Sequence, residues 1–185
     1  MNNKHAFKLV LTTMLGVGTI LVGTFDPNEV HAANSHYSIA HTAIQKENHT
    51  ALLDQTKELA TKGKVVTSEE FGIYSTQKEI ENKWGKADKN IPKGELRYSK
   101  RSTAFYLDKF DTPTEAVYLL KTTDKRYANI SYSEVKKRLG KGSEYKGNDS
   151  AHISYDAKDY ALTFYFPVDK QGKIGNVKSV EVSVH

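Results

Sequence analysis

The feature that most constrains this chain is a short pattern that occurs twice. The first copy reads Thr76-Gln77-Lys78-Glu79-Ile80-Glu81-Asn82-Lys83-Trp84-Gly85. The second reads Ser131-Tyr132-Ser133-Glu134-Val135-Lys136-Lys137-Arg138-Leu139-Gly140. Each opens on a hydroxyl residue suited to cap a helix and puts a Glu in the first turn, where free backbone N–H groups favour an anion. Each sets an apolar residue beside that Glu, a large apolar one four positions later, and then stops at Gly. The spacing predicts two short helices, each docked by one face on the tyrosine-rich strands that follow it.

The front of the chain reads as an address. Met1 to Lys8 is polar and carries Lys4 and Lys8, Leu9 to Val22 is an apolar run, and Val30-His31-Ala32 follows. That is the three-part layout of a secretory signal peptide, with cleavage expected after Ala32 or one residue later. The apolar run of 14 residues is short of the roughly 20 that span a bilayer. A retained N-terminal anchor is the alternative.

The chain has no cysteine, so it can carry neither a thiol-linked lipid nor a disulfide. A cysteine-free exported chain of this size fits Gram-positive export, where an oxidising medium permits disulfides without demanding them. No second apolar segment of spanning length follows. The expectation is a secreted protein, free or loosely wall-associated, with no stable membrane anchor once cleaved. The formal charge of +5 favours anionic surfaces such as teichoic acids or acidic proteins. It is equally at home in proteins that bind nothing acidic. Export and the lack of a zinc-finger or RNA-binding motif argue against nucleic acid.

Behind the leader (residues 1–32), residues 33–49 read as a flexible segment and 50–185 as a single domain. Ile39 to Lys62 has a helical stripe, with its stable part from Thr50 to Thr61, a break at Asn48-His49-Thr50 and a stop at Gly63. Val65-Val66 and Phe71 to Tyr74 read as strand-like pieces. Behind the first short helix come a loop from Lys86 to Gly94, a strand pair at Leu96–Tyr98 and Thr103–Leu107, and a third strand at Ala116–Lys121. Pro113-Thr114-Glu115 could instead start a helical turn there. Behind the second come a glycine-bearing loop from Gly140 to Ser150 and strands at Ile153–Tyr155, Tyr160–Phe166 and Val177–Val184. Asp156 to Asp159 reads as a turn and Asp169 to Lys173 as a hairpin loop. Overlaying the two helix ends brings Leu96-x-Tyr98 near Ile153-x-Tyr155, and Ala104-Phe105 onto Ala161-Leu162. The expected fold is α+β: an N-terminal helix, then two tandem units, about 64–124 and 127–185, each a short helix with about three antiparallel strands, forming a curved sheet.

Chemistry is sparse. There is no nucleophile elbow, His-Glu-x-x-His, phosphate-binding Gly loop or cysteine nucleophile. No catalytic residue, metal site or cofactor is expected. His36, His41 and His49 are not spaced to converge on a metal. Asp108, Asp111, Asp149, Asp156 and Asp159 fall near turns, where capping explains them. His152 beside Asp149 could form an acid–base pair, against the plainer reading of a structural or solvated histidine. Trp84, matched by Leu139, reads as core. The 11 tyrosines say more. Tyr98, Tyr106, Tyr155 and Tyr165 fall in strands, where an apolar ring with a polar tip suits cross-strand packing or a binding face. Lys89, Lys93, Arg97, Lys100 and Arg101 form the candidate polyanion patch.

The two patterns, Thr76-x-x-Glu79-Ile80-x-x-x-Trp84-Gly85 and Ser133-Glu134-Val135-x-x-x-Leu139-Gly140, together with the strand Tyr160 to Phe166, resemble the YjgB-like secreted proteins of Bacillus. That family has no assigned activity. The two-unit layout is also similar to beta-lactamase inhibitor proteins and small outer-membrane assembly lipoproteins, which present an aromatic sheet face to a protein partner. This chain departs from both in lacking their cysteines. The repeat, the tyrosines and the absence of catalytic motifs lead to the expectation of a non-catalytic extracellular binding module for a protein partner. The likeness to the inhibitor proteins leaves inhibition open as its narrower form, since their stapling cysteines are missing here. Retention by anionic wall polymers is the alternative.

Overall fold

The computed structural model describes residues 30–109 and 115–185. Residues 1–29 of the expected leader, Asp111, and the Pro113-Thr114 part of the alternative helical turn lie outside the described residues. The chain divides into two units at Ile39/Ala40. The architecture below is that of the second.

Helix α1 spans Val30–Ala60. It runs through Asn48-His49-Thr50, where a break was expected. Those residues are held locally: the Thr50 hydroxyl donates back to the Lys46 carbonyl at 2.9 Å. Leu52, Leu53, Thr56 and Ala60 form its buried stripe, at the spacing of one helical face. Gly63, at φ +66°, turns the chain out.

The stretch from Val65 to Tyr74 is not strand. It is a run of turns, with Ser68 N–H on Val65 O and Phe71 N–H on Ser68 O. The buried Ser68 hydroxyl accepts from Val65 N–H at 3.2 Å and donates to Val65 O at 2.9 Å. Backbone groups satisfied this way need no sheet partner, and Val65 and Phe71 still enter the core.

The two capped patterns fold as α2 (Gln77–Trp84) and α3 (Tyr132–Leu139). Both carry a full capping box. Thr76 and Ser131 accept from the N–H groups of Glu79 and Glu134, whose carboxylates accept from the cap residues' own N–H groups at 2.8 Å. Two otherwise orphaned donors are thereby satisfied at each helix start. Gly85 (φ +80°, ψ −173°) and Gly140 (φ +87°, ψ −154°) end them in a backbone region open essentially only to glycine.

The strands are β1 (Glu95–Tyr98), β2 (Thr103–Asp108), β3 (Ala116–Thr122), β4 (Ser143–Lys146), β5 (Ser150–Ala157), β6 (Tyr160–Pro167) and β7 (Ser179–Val184). They form one open antiparallel sheet ordered β1-β2-β3-β7-β6-β5-β4. Thus α2 is followed by three strands, α3 by four, and the β3–β7 pair joins the halves. The fold is α+β, as expected. The Gly140–Ser150 segment, expected as loop, contains β4. All four residues of β4 are exposed, so no hydrophobic alternation announces it. The turn before β6 is also shorter than expected, because Asp156 and Ala157 belong to β5.

The helices share one face of the sheet. Trp84 of α2 meets Tyr98 edge-on at 5.1 Å between ring centres and lies 5.4 Å from Phe105. Tyr132 of α3 meets Phe166 at 5.1 Å. Thr56 of α1 contacts Tyr127, which packs on Phe164. A bulge at Tyr118 shifts the β2–β3 register, pairing Tyr106 with Leu119 but Leu107 with Val117. Val117 and Leu120, three apart, therefore both turn into the core.

Candidate functional site on the open sheet face

Period-two alternation sends the remaining strand residues to the other face, on which no α-helix among the described residues packs. Glu95 and Arg97 of β1, Tyr106 of β2, Lys121 of β3, Glu181 of β7, Tyr165 of β6, His152 of β5 and Tyr145 of β4 stand there in sequence across the sheet. Four of the charges on this face form two ion pairs. Arg97 donates from Nε and Nη2 to Glu95 Oε1, each at 2.7 Å. Lys121 meets Glu181 at 2.9 Å and lies 5.8 Å from the centre of the Tyr165 ring.

A hollow of about 360 Å³ lies over Glu95, Arg97, Tyr106 and Lys121. A second, of about 200 Å³, runs past Lys121 to Tyr165, Pro167 and Lys178. Lys121 and Thr123 line both. Burial and the Glu181 carboxylate push the Tyr165 phenol up to about 12, and burial with Glu95 also raises Tyr106. Both phenols therefore stay neutral at physiological pH and can donate hydrogen bonds.

Of the four tyrosines that are candidates for either cross-strand packing or a binding face, Tyr106 and Tyr165 stand on the open face, half-buried. Tyr98 and Tyr155 do not. They point to the helix side, 6% and 8% exposed, and their hydroxyls donate to the carbonyls of Gly85 and Gly140 at 2.8 and 3.3 Å. Period two settles this: each lies an odd number of positions from its open-face neighbour in the same strand. Tyr145, on a strand that no apolar alternation announces in the sequence, is 56% exposed and stacks on His152 at 5.1 Å and 23°. His152 in turn contacts Tyr165 at 5.5 Å. The histidine is thus part of an aromatic row.

The candidate polyanion residues do not form one free cationic surface. Arg97 is paired with Glu95 on the open face. Arg101 is paired with Glu69 at 2.6 Å and lies over Trp84, 4.4 Å from the ring centre, on the helix side. Lys89, Lys93 and Lys100 are exposed around the loop and turn that flank β1. Among the described residues no cluster of three or more His, Cys, Asp or Glu side chains could hold a metal ion. Among them, too, no helix is long and apolar enough to cross a membrane.

The crystal structure of YjgB, a DUF4309 family protein from Bacillus subtilis subsp. subtilis str. 168, is similar to this chain with a TM-score of 0.56 and 14% identity. The likeness covers 74% of this chain and 97% of that one. At that identity it concerns the fold alone. No curated protein matches the sequence. The family described as Domain of unknown function (DUF4309) matches residues 53–183. That span runs from the buried stripe of α1 to the last strand, takes in both capped helices, and makes this protein a member of the DUF4309 family, the YjgB-like proteins.

Proposed function

We propose that this protein is a non-catalytic binding module that acts outside the cell and engages a protein partner through the open sheet face. The observation that carries the reading is the contrast between the two faces. One is filled by three helices. The other holds half-buried Tyr106 and Tyr165 around the Lys121–Glu181 pair, with two adjoining hollows. Tyrosine offers large contact area at low entropic cost and keeps a polar tip, the chemistry favoured in protein recognition. An inhibitory role is the narrower form of the same reading: occupation of an extracellular enzyme by this face.

Secretion follows in this reading from the leader at Met1 to Ala32. The matched halves support an origin as two tandem units. Each has a capping box, a glycine stop and a tyrosine donating to that glycine's carbonyl. Tyr98 meets Phe105 at 6.2 Å and 82°, and Tyr155 meets Phe164 at 6.3 Å and 84°. Phe164, two residues beyond Leu162, is therefore the counterpart of Phe105. Retention by anionic wall polymers is the less favoured reading, because Arg97 and Arg101 already hold carboxylates.

The test is capture from host culture medium and wall extract on immobilised protein, beside a Tyr106→Ser/Tyr165→Ser variant. A protein enriched by the wild type and lost with the variant supports the reading. No enrichment, or enrichment that survives the double substitution, overturns it. Fractionation of the culture, with the N-terminus of the recovered chain determined, tests the compartment. A start near Ala33 in the medium is expected, and an intact Met1 in the membrane would overturn secretion.

A further inference from the structure

The sheet has two edges, and they differ. At β1 the outward backbone is met by the preceding loop: Asp88 N–H donates to Arg97 O at 2.8 Å, and the Asp88 carboxylate accepts from Ser99 N–H at 2.9 Å. At β4 no described group does this. The register runs Ser143↔Ser154, Glu144↔Ile153, Tyr145↔His152, Lys146↔Ala151, and Gly147 N–H donates to Ser150 O in the adjoining turn. Bonded and non-bonded pairs alternate in an antiparallel ladder. With Gly147 bonded inward, Tyr145 and Ser143 are too. The N–H and C=O groups of Glu144 and Lys146 then point away from the sheet, with no partner among the described residues, and both residues are exposed.

We propose that β4 pairs with β4 of a second copy of this chain, antiparallel about a two-fold axis passing beside Tyr145. The sequence of the edge selects that occupant. Centring on Tyr145 places Glu144 opposite Lys146 of the partner copy, and Lys146 opposite its Glu144. These are the positions whose outward groups exchange reciprocal backbone bonds. Both cross-strand pairs are then of opposite charge, which is favourable between directly facing residues. Glu144 already accepts from Lys136 Nζ at 2.9 Å and from the Tyr132 hydroxyl in its own chain, so the partner copy's Lys146 joins a carboxylate that is held in place. Tyr145 meets its own copy at the axis as a non-bonded pair, where side chains approach most closely. The two aromatic rows Tyr165–His152–Tyr145 join there into one. Four exposed residues are a short edge. Its length and Lys146 are two of the devices that blunt native edges. But β4 has no proline, bulge or covering loop among the described residues, the facing Glu144 of a second copy neutralises the lysine, and a closed two-fold contact halts after two copies.

The test is the mass of the purified full chain by analytical ultracentrifugation over a concentration series. A monomer–dimer equilibrium is expected. Lys146→Glu sets like charges opposite each other at both pairs and should weaken the dimer roughly tenfold or more. Lys146→Pro removes an outward donor and should abolish the dimer while leaving the bonds to β5 in place; circular dichroism checks that the fold is kept. The decisive arm mixes Lys146→Glu with Glu144→Lys. Each alone should be monomeric, and the mixture should form a heterodimer, since each strand then faces its opposite. A wild type that stays monomeric at all concentrations overturns the proposal. So does a dimer indifferent to Lys146→Pro, or an edge occupied only by a different protein.

Discussion

The hydroxyls of Thr56 and Tyr127 meet at 2.6 Å in the core, 71 residues apart in sequence. Thr56 donates to the Leu52 carbonyl at 2.6 Å, so the shared proton is that of Tyr127. This bond ties α1 to the link between the two halves of the sheet. Tyr127, 1% exposed, has burial pushing its phenol far above the ordinary value. Tyr127→Phe should cost about 0.5–1.5 kcal/mol of stability, the usual net worth of one hydrogen bond. Thr56→Val strands the tyrosine proton and should cost about 1–3 kcal/mol. Urea unfolding of both single variants and the pair checks this. Removing both partners should cost less than the two single losses summed.

The cap of α3 is tied to a second helix, and among the described residues that of α2 is not. Glu134 holds Ser131 and also accepts from His49 Nδ1 of α1 at 3.0 Å. Glu79 holds Thr76 alone. Thr76→Ala and Ser131→Ala should each cost about 1 kcal/mol. Glu134→Ala should cost more than Glu79→Ala, because it also leaves part-buried His49 without its partner. Equal losses in thermal or urea unfolding would contradict the linkage of α1 to α3.

Gly85 and Gly140 end their helices with nothing within 4 Å of an added Cβ. The cost of substitution there is conformational. Gly85→Ala and Gly140→Ala should each destabilise by about 1–3 kcal/mol. Gly142→Ala fails differently, because its Cβ would lie 2.6 Å from Ser154 O and 2.8 Å from Ile153 Cγ2. Only that variant should disturb β4, visible as faster amide exchange at Tyr145.

Acid should destabilise the fold. Hydrogen bonds from the Thr76 N–H and hydroxyl hold Glu79 below the usual carboxylate range. Arg138 does so for Asp54, and Arg126 for Asp124. Folded values below the unfolded ones mean that the stabilisation is present above about pH 4 and is lost as pH falls through the depressed values. The urea midpoint should therefore drop between pH 5 and pH 3, and a flat profile over that window would count against these contacts.

Alkali should act by the opposite sign. Tyr132, Tyr155 and Tyr165 are each pushed up to about 12, in every case first by burial. Raised folded values stabilise fully below the unfolded phenol value of about 10 and lose that contribution as pH rises through 12. Absorbance at 295 nm should show a late class of phenols. Tyr165→Phe should shrink that class by one, and removing Glu181 as well should add little.

The local elements were legible in the sequence because local chemistry makes them. Thr76, Glu79 and Gly85, and Ser131, Glu134 and Gly140, set both helices by capping and by backbone permission within ten residues. The strands at 96–98, 103–107 and 160–166 are recognisable by their aromatic and β-branched content, whereas Trp84, which reads as core, packs against the core only partly buried. Tertiary structure decided what depends on partners distant in sequence. The sequence leaves Tyr98 and Tyr155 open between cross-strand packing and a binding face; they turn inward to Gly85 and Gly140, because the side a strand buries is set by where the helices dock. Strand β4 has no apolar signal and exists because β5 offers it a ladder. Val65 to Tyr74 satisfies its backbone through the buried Ser68 hydroxyl, so its apolar residues reach the core without a strand. The bulge at Tyr118 and the β3–β7 seam arise from pairing across the sheet, where register is chosen by the burial of both strands together.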